Sequence, residues 1–150
     1  PRSSEGLNMN TVTQIDLVLD DKPGRLFEIS KRLDADGITM LAFHLADRDQ
    51  EGRLSFVVND PEKALNLLRT SGYRLETQEV IACEIPSHPG GLSAVLKPLK
   101  QAEINVDFIY PCLSTGRQRA LIIGARPVEN ALQVLEDEWI RILGADLYTL

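Results

Sequence analysis

Residues 15–33, Ile-Asp-Leu-Val-Leu-Asp-Asp-Lys-Pro-Gly-Arg-Leu-Phe-Glu-Ile-Ser-Lys-Arg-Leu, pass in one run from one secondary-structure period to another. Ile15, Leu17 and Leu19 recur at every second position, which reads as a strand with one buried face. Asp21-Lys22-Pro23-Gly24 breaks the run as a turn. From Arg25 the apolar residues Leu26, Ile29 and Leu33 form the stripe of an amphipathic helix that stops near Gly37. Downstream, a second strand spans 38–46, the polar run Asp47 to Gly52 reads as a solvated hairpin loop, and a third strand spans 53–58. Asn59-Asp60-Pro61 opens a second helix with an Asx cap and a proline in its first turn. Ala64, Leu65 and Leu68 make its buried stripe, and 73–79 is a fourth strand. The order is βαββαβ, a ferredoxin-like antiparallel sheet with both helices on one face.

The run recurs. Pro23-Gly24 returns as Pro89-Gly90, Leu26 as Leu92, Leu33 as Leu99, Ile38 as Ile104, Arg53 as Arg119 and Phe56 as Ile122, all at a spacing of 66. One inserted residue after that point shifts Ala64-Leu65 to Ala131-Leu132 and Leu68 to Leu135. A repeat of this period means that one supersecondary unit is built twice. The second copy is expected as strand 80–85, helix 91–102, strands 104–113 and 118–124, helix 128–137 and a last strand 140–148. The fold class is therefore α+β, two ferredoxin-like βαββαβ modules in tandem, with domains at 9–79 and 80–150. The last strand of the first copy runs almost directly into the first strand of the second, so the copies are expected to form one pseudo-twofold unit. Residues 1–8 carry no periodicity and are expected to be a disordered tail or a remnant ahead of the native start.

A chain of 150 residues with 43% hydrophobic and 25% charged residues is of globular composition. The net charge of −6 and 5% aromatics oppose binding to nucleic acid or an anionic membrane. The strand 52–58 sits where an RNA-recognition motif carries its aromatics, but it lacks a pair of them. No apolar run is long enough to span a bilayer, and a cytoplasmic protein is expected. Cys83 and Cys112 lie in apolar stretches as small hydrophobes. Neither His44 nor His88 pairs with an acid or nucleophile at a recognisable spacing, and two His and two Cys, widely scattered, fail the spacing of a zinc site. No enzyme, cofactor or metal is expected.

With Asp21-Lys22-Pro23-Gly24-Arg25-Leu26 and, more loosely, Ser87-His88-Pro89-Gly90-Gly91-Leu92 each opening a helix, the chain resembles the small tandem ACT-domain proteins over nearly its whole length. The resemblance implies an amino-acid-binding regulatory protein without catalytic activity, acting on a partner enzyme in trans and forming a homodimer. It places ligand contacts on those two turns and at the start of the second strand of a partner unit. There Asn105 stands in the second copy and Thr39 in the first; Gly37 and Glu103 likewise differ, so one good site or two unlike ones are expected.

The chemistry fits. Unpaired amides at a helix start attract a carboxylate, and glycine permits close approach. Asp21 and Asp107 are candidates for an α-ammonium, Asn105 can both donate and accept, and Tyr110 or Phe43 would line the remainder. Gly91 is expected to discriminate a carboxylate cradle, blocked by Gly91→Val, from a merely short turn. The alternative is an interaction module whose sheet edges mediate association.

Overall fold

The computed structural model describes residues 10–149 except Asp21, Gln50 and 114–118. The expected tail at 1–8, the turn residue Asp21 and the expected strand start at Gln118 lie outside the described residues. The elements are β1 (Val12–Asp20), α1 (Arg25–Ala35), β2 (Met40–Arg48), β3 (Glu51–Val58), α2 (Pro61–Thr70), β4 (Leu75–Glu84), α3 (Gly91–Gln101), β5 (Val106–Pro111), β6 (Ala120–Ala125), α4 (Val128–Asp137) and β7 (Ile142–Leu143), followed by a 3-10 turn, Ala145–Thr149. Of the described residues, Thr13–Gln78 form one compact unit, and 79–149 with 10–12 form the other. No described helix is long and apolar enough to cross a membrane.

In the first unit the strand order is β2-β3-β1-β4, antiparallel where β1 and β2 each pair with β3. Ile15, Leu17 and Leu19 of β1 and Leu54, Phe56 and Val58 of β3 share one face and meet Ile29 and Leu33 of α1 and Ala64 and Leu68 of α2 in a single core. The second unit repeats this as β5-β6-β4-β7 around Ile81, Cys83, Val95, Leu99, Leu121, Ile123, Ala131 and Leu135. β4 thus ends the first βαββαβ and begins the second. Burial pushes the Cys83 thiol up to about 12 and the Cys112 thiol up to about 11, so both are protonated near neutral pH.

The repeat is finer than letter matching shows. α1 and α3 are offset by 66 at both ends, and α2 and α4 by 67. The bulge between Met40 and Ala42 returns between Val106 and Phe108. A constant spacing of 66 matches Phe56 to Ile122, but the structure matches it to Ile123. Phe43 pairs with Phe56 and Ile109 with Ile123, and Phe56 and Ile123 each belong to a core that faces the helices. The inserted residue therefore precedes β6, because a one-residue slip would turn every core side chain to the wrong face.

Two further expectations are corrected. Asp47 to Gly52 is no loop: Asp47 pairs with Gly52 and Arg48 with Glu51, and Asp49 beyond them takes φ 52°. Polar residues alternate along an edge strand as readily as they fill a loop, and Asp tolerates the left-handed turn. The last strand, expected over 140–148, has only two residues; Leu143 and Leu147, both fully buried, have helical rather than strand spacing.

All four α-helices among the described residues end alike. Ile38, Tyr73, Ile104 and Ile140 donate their amides back to Leu33, Leu68, Leu99 and Leu135 at 2.9–3.2 Å, each across a left-handed residue. That residue is Gly37 or Gly72 in the first copy and Glu103 or Trp139 in the second. This is the Schellman termination, in which only glycine escapes the Cβ penalty. Trp139 is 94% exposed and contributes little packing. Trp139→Gly is therefore expected to stabilise the protein by about 1 kcal/mol, raising the melting temperature by roughly 2–4 °C in calorimetry. A lower melting point would mean that the indole is held in place by contacts.

Candidate functional site

In the first turn Lys22 donates its amide to the Asp20 carbonyl at 2.9 Å, and Glu28 donates to Gly24 at 3.0 Å. Gly24, at φ 89°, is the N-cap of α1, and no side chain among the described residues caps the helix start. The second turn is built the same way, with Gly90 at φ 91° and Ala94 donating to Gly90 at 3.0 Å. Both helix starts thus present amides without a side-chain partner among the described residues, the arrangement that suits an anion.

The two turns differ in what surrounds them. A cavity of about 240 Å³ adjoins the first, lined by Asp20, Lys22, Gly24 and Leu26 and closed by Leu45 and Asp47 of β2. Phe43, Leu45 and Asp47 stand on one face of β2 by strand alternation. Arg25 borders the cavity, donating to Asp20 at 3.3 Å and to Glu28 at 3.0 Å. The Glu28 hydrogen bond, foremost, holds its guanidinium above the usual range. Both signs of charge thus border an apolar floor. Of the named turn residues Lys22, Pro23 and Gly24 are exposed, and Arg25 and Leu26 are half-buried.

At the second turn Ser87, His88, Pro89, Gly90 and Leu92 are exposed, and His88 Nδ1 lies 2.9 Å from the Pro89 carbonyl. Gly91 is buried, and a Cβ there would collide with the carbonyl oxygen of Pro86. The expectation that Gly91→Val isolates a ligand cradle is corrected: local packing alone demands glycine at this position.

Asn105 and Asp107 stand elsewhere. They follow the C-terminal end of α3, about 15 Å along the helix from the turn that opens it. Asn105 lines an open apolar groove of about 590 Å³ with Leu96, Lys100, Glu103 and Ile109. Asp107 accepts from Arg126 Nε at 2.8 Å and from Asn105 at 3.2 Å. Within one unit, therefore, the turn Ser87–Leu92 and the pair Asn105 and Asp107 do not come together. Phe43 is 41% exposed, so it is open to solvent, whereas Tyr110 at 4% is not available to line an open site.

Arg126, foremost, holds the Asp107 carboxyl below its ordinary range, against the opposing effect of desolvation and with help from Asn105. A depressed carboxylate contributes stability above its unfolded value and loses it as pH falls through the folded one. In Arg126→Leu, the Asp107 carboxyl is expected to titrate higher, nearer the ordinary value of about 3.9, by carbon-detected NMR. An unchanged titration would remove the ion pair as the cause.

Sequence reading missed Asp20, Leu45 and Asp47. Leu45 lay within the expected strand 38–46 but was not connected to the turn, and the polar stretch after it masked Asp47 as part of that strand.

The family model described as an ACT domain pair matches residues 10–147. No curated protein matches the sequence significantly. Among solved structures, protein BT0572 from Bacteroides thetaiotaomicron is 26% identical, with a TM-score of 0.88 over 95% of this chain and 99% of that one. The ligand-free regulatory subunit of aspartate kinase from Thermus thermophilus is 17% identical, with a TM-score of 0.60 over 87% and 93% of the two chains. The corresponding subunit from Thermus flavus is 19% identical, with a TM-score of 0.56 over 86% and 93%.

Proposed function

This chain belongs to the ACT domain pair family, and from that premise we propose that it is a regulatory protein that binds an amino acid and acts on a partner enzyme in trans. The observation that carries the reading is the cavity at the first turn. Uncapped amides of α1 and the cationic Lys22 suit an α-carboxylate, Asp20 and Asp47 suit an α-ammonium, and Leu19, Leu26 and Leu45 suit an aliphatic side chain. Asp21 belongs to the same proposal by sequence position. Two of the solved structures that share the fold are regulatory subunits, which is the role proposed.

The second turn, Ser87 to Leu92, is proposed as the weaker half. A site combining it with Asn105 and Asp107 would take those two from another copy of the chain, because α3 keeps them apart within one unit. That requirement ties ligand binding to association of ACT units, and a homodimer is part of the proposal.

A thermal-shift screen against the twenty protein amino acids tests it. A ligand at about 100 times its dissociation constant adds about 2.7 kcal/mol, or roughly 5–11 °C for a chain of this length. The expected result is a selective shift that is lost in Asp47→Asn. No shift with any of the twenty would favour an interaction module instead.

A further inference from the structure

We propose that the first unit carries a second small-molecule site: a cavity between α1 and the turn from α2 into β4 that takes a zwitterion of the amino-acid class. The cavity has a volume of about 480 Å³, inside the roughly 300–1,000 Å³ range of small-molecule pockets. It lies beyond the Asp20–Arg25 pair from the turn cavity, and those two residues with Leu19 border both.

Three guanidinium groups and three carboxylates line it: Arg25, Arg32 and Arg74 with Asp20, Glu28 and Glu51. Arg74 pairs with Glu51 at 3.2 Å, and Arg25 with Asp20 and Glu28. Arg32 donates from Nη1 to the Ser71 hydroxyl at 3.2 Å and, of the three guanidinium groups, is the one without an ion pair among the described residues. A planar guanidinium suits a carboxylate. The charge balance selects the class. With three positive and three negative groups the lining is neutral, which disfavours a polyanion and suits a ligand carrying one charge of each sign.

The second copy shows that the fold does not need these residues. At a spacing of 66, Arg25 becomes Gly91 and Arg32 becomes Pro98; at 67, Ser71 becomes Glu138 and Gly72 becomes Trp139. The same helices and the same helix terminations form there without the arginines. Arginine at these two positions is a property of the first unit alone and not of the scaffold.

NMR on the full nitrogen-15-labelled chain tests the site, with each protein amino acid at millimolar concentration as probe and acetate and methylammonium as half-ligand controls. At least one amino acid is expected to move the Gly72, Tyr73 and Arg74 amides saturably. Arg32→Gln, an exposed change, is expected to weaken that response roughly tenfold or more, and Lys22→Ala to leave it intact. The proposal is overturned if no amino acid moves these signals, if Arg32→Gln binds as well as the parent, or if acetate binds as tightly as the whole zwitterion. Movement confined to Lys22–Leu26 and Leu45–Asp47 would support the turn site and overturn this one.

Discussion

Phe56→Ala is expected to cost about 4 kcal/mol and to lower the melting temperature by roughly 8–16 °C. Phe56 is fully buried at the centre of β3, paired with Ile15 on one side and Phe43 on the other, in the core that also holds the stripes of α1 and α2. Truncation removes the transfer free energy of a phenyl ring and leaves a void bounded by two helices and three strands, which have little freedom to collapse. The neighbouring ring is the control. Phe43 shares the same face and the same pair but is 41% exposed, so Phe43→Ala is expected to cost less than half as much. Urea denaturation followed by circular dichroism measures both. Near-equal losses would mean that Phe43 is covered in solution, most simply by a second copy on the edge strand β2.

Gly91→Ala is expected to cost about 3 kcal/mol, with a fall in melting temperature of roughly 6–12 °C. The added Cβ would collide with the Pro86 carbonyl, a backbone atom that no rotamer change moves aside. The start of α3 is also held, by the Gly91 amide on His88 and the Ala94 amide on Gly90, each at 3.0 Å. Gly90→Ala next door provides the comparison. A Cβ there meets nothing within 4 Å, so only the left-handed backbone, φ 91°, penalises it, by roughly 1–2 kcal/mol. If the two variants melt alike, the close approach of Pro86 is wrong. If Gly91→Ala is the weaker by the expected margin, a loss of ligand response on substitution at Gly91 reports unfolding of a turn and not a blocked cradle.

Glycine has two unrelated roles in the repeat. At 24, 37, 72 and 90 it takes a positive φ, and the residues that replace two of these in the second copy, Glu103 and Trp139, hold the same conformation at a cost. At 91 and 124 it makes room. The Phe108 ring lies where a Gly124 Cβ would be, and the matching pair in the first copy is Ala42 with Val57. The large and small partners have changed strands while the bulge between them has stayed, as expected where volume across a pair is conserved.

The sequence by itself determined the element order, the tandem repeat, the helix ends to within a residue or two and the core stripes, because strand and helix periods are local and the two copies supply independent readings of one pattern. It determined the turn at Asp21 to Leu26 as a candidate site for the same local reason. Only the tertiary structure decided that Phe56 matches Ile123 and that Asp47 belongs to a strand, since pairing register depends on which face another segment covers. Nor was the Arg32 cavity legible in sequence: its walls come from β1, α1, β3 and the turn after α2, which approach one another only when the chain is folded. The same holds for Gly91, whose neighbour in the turn, Pro86, is close in sequence but presses on it only in one backbone conformation.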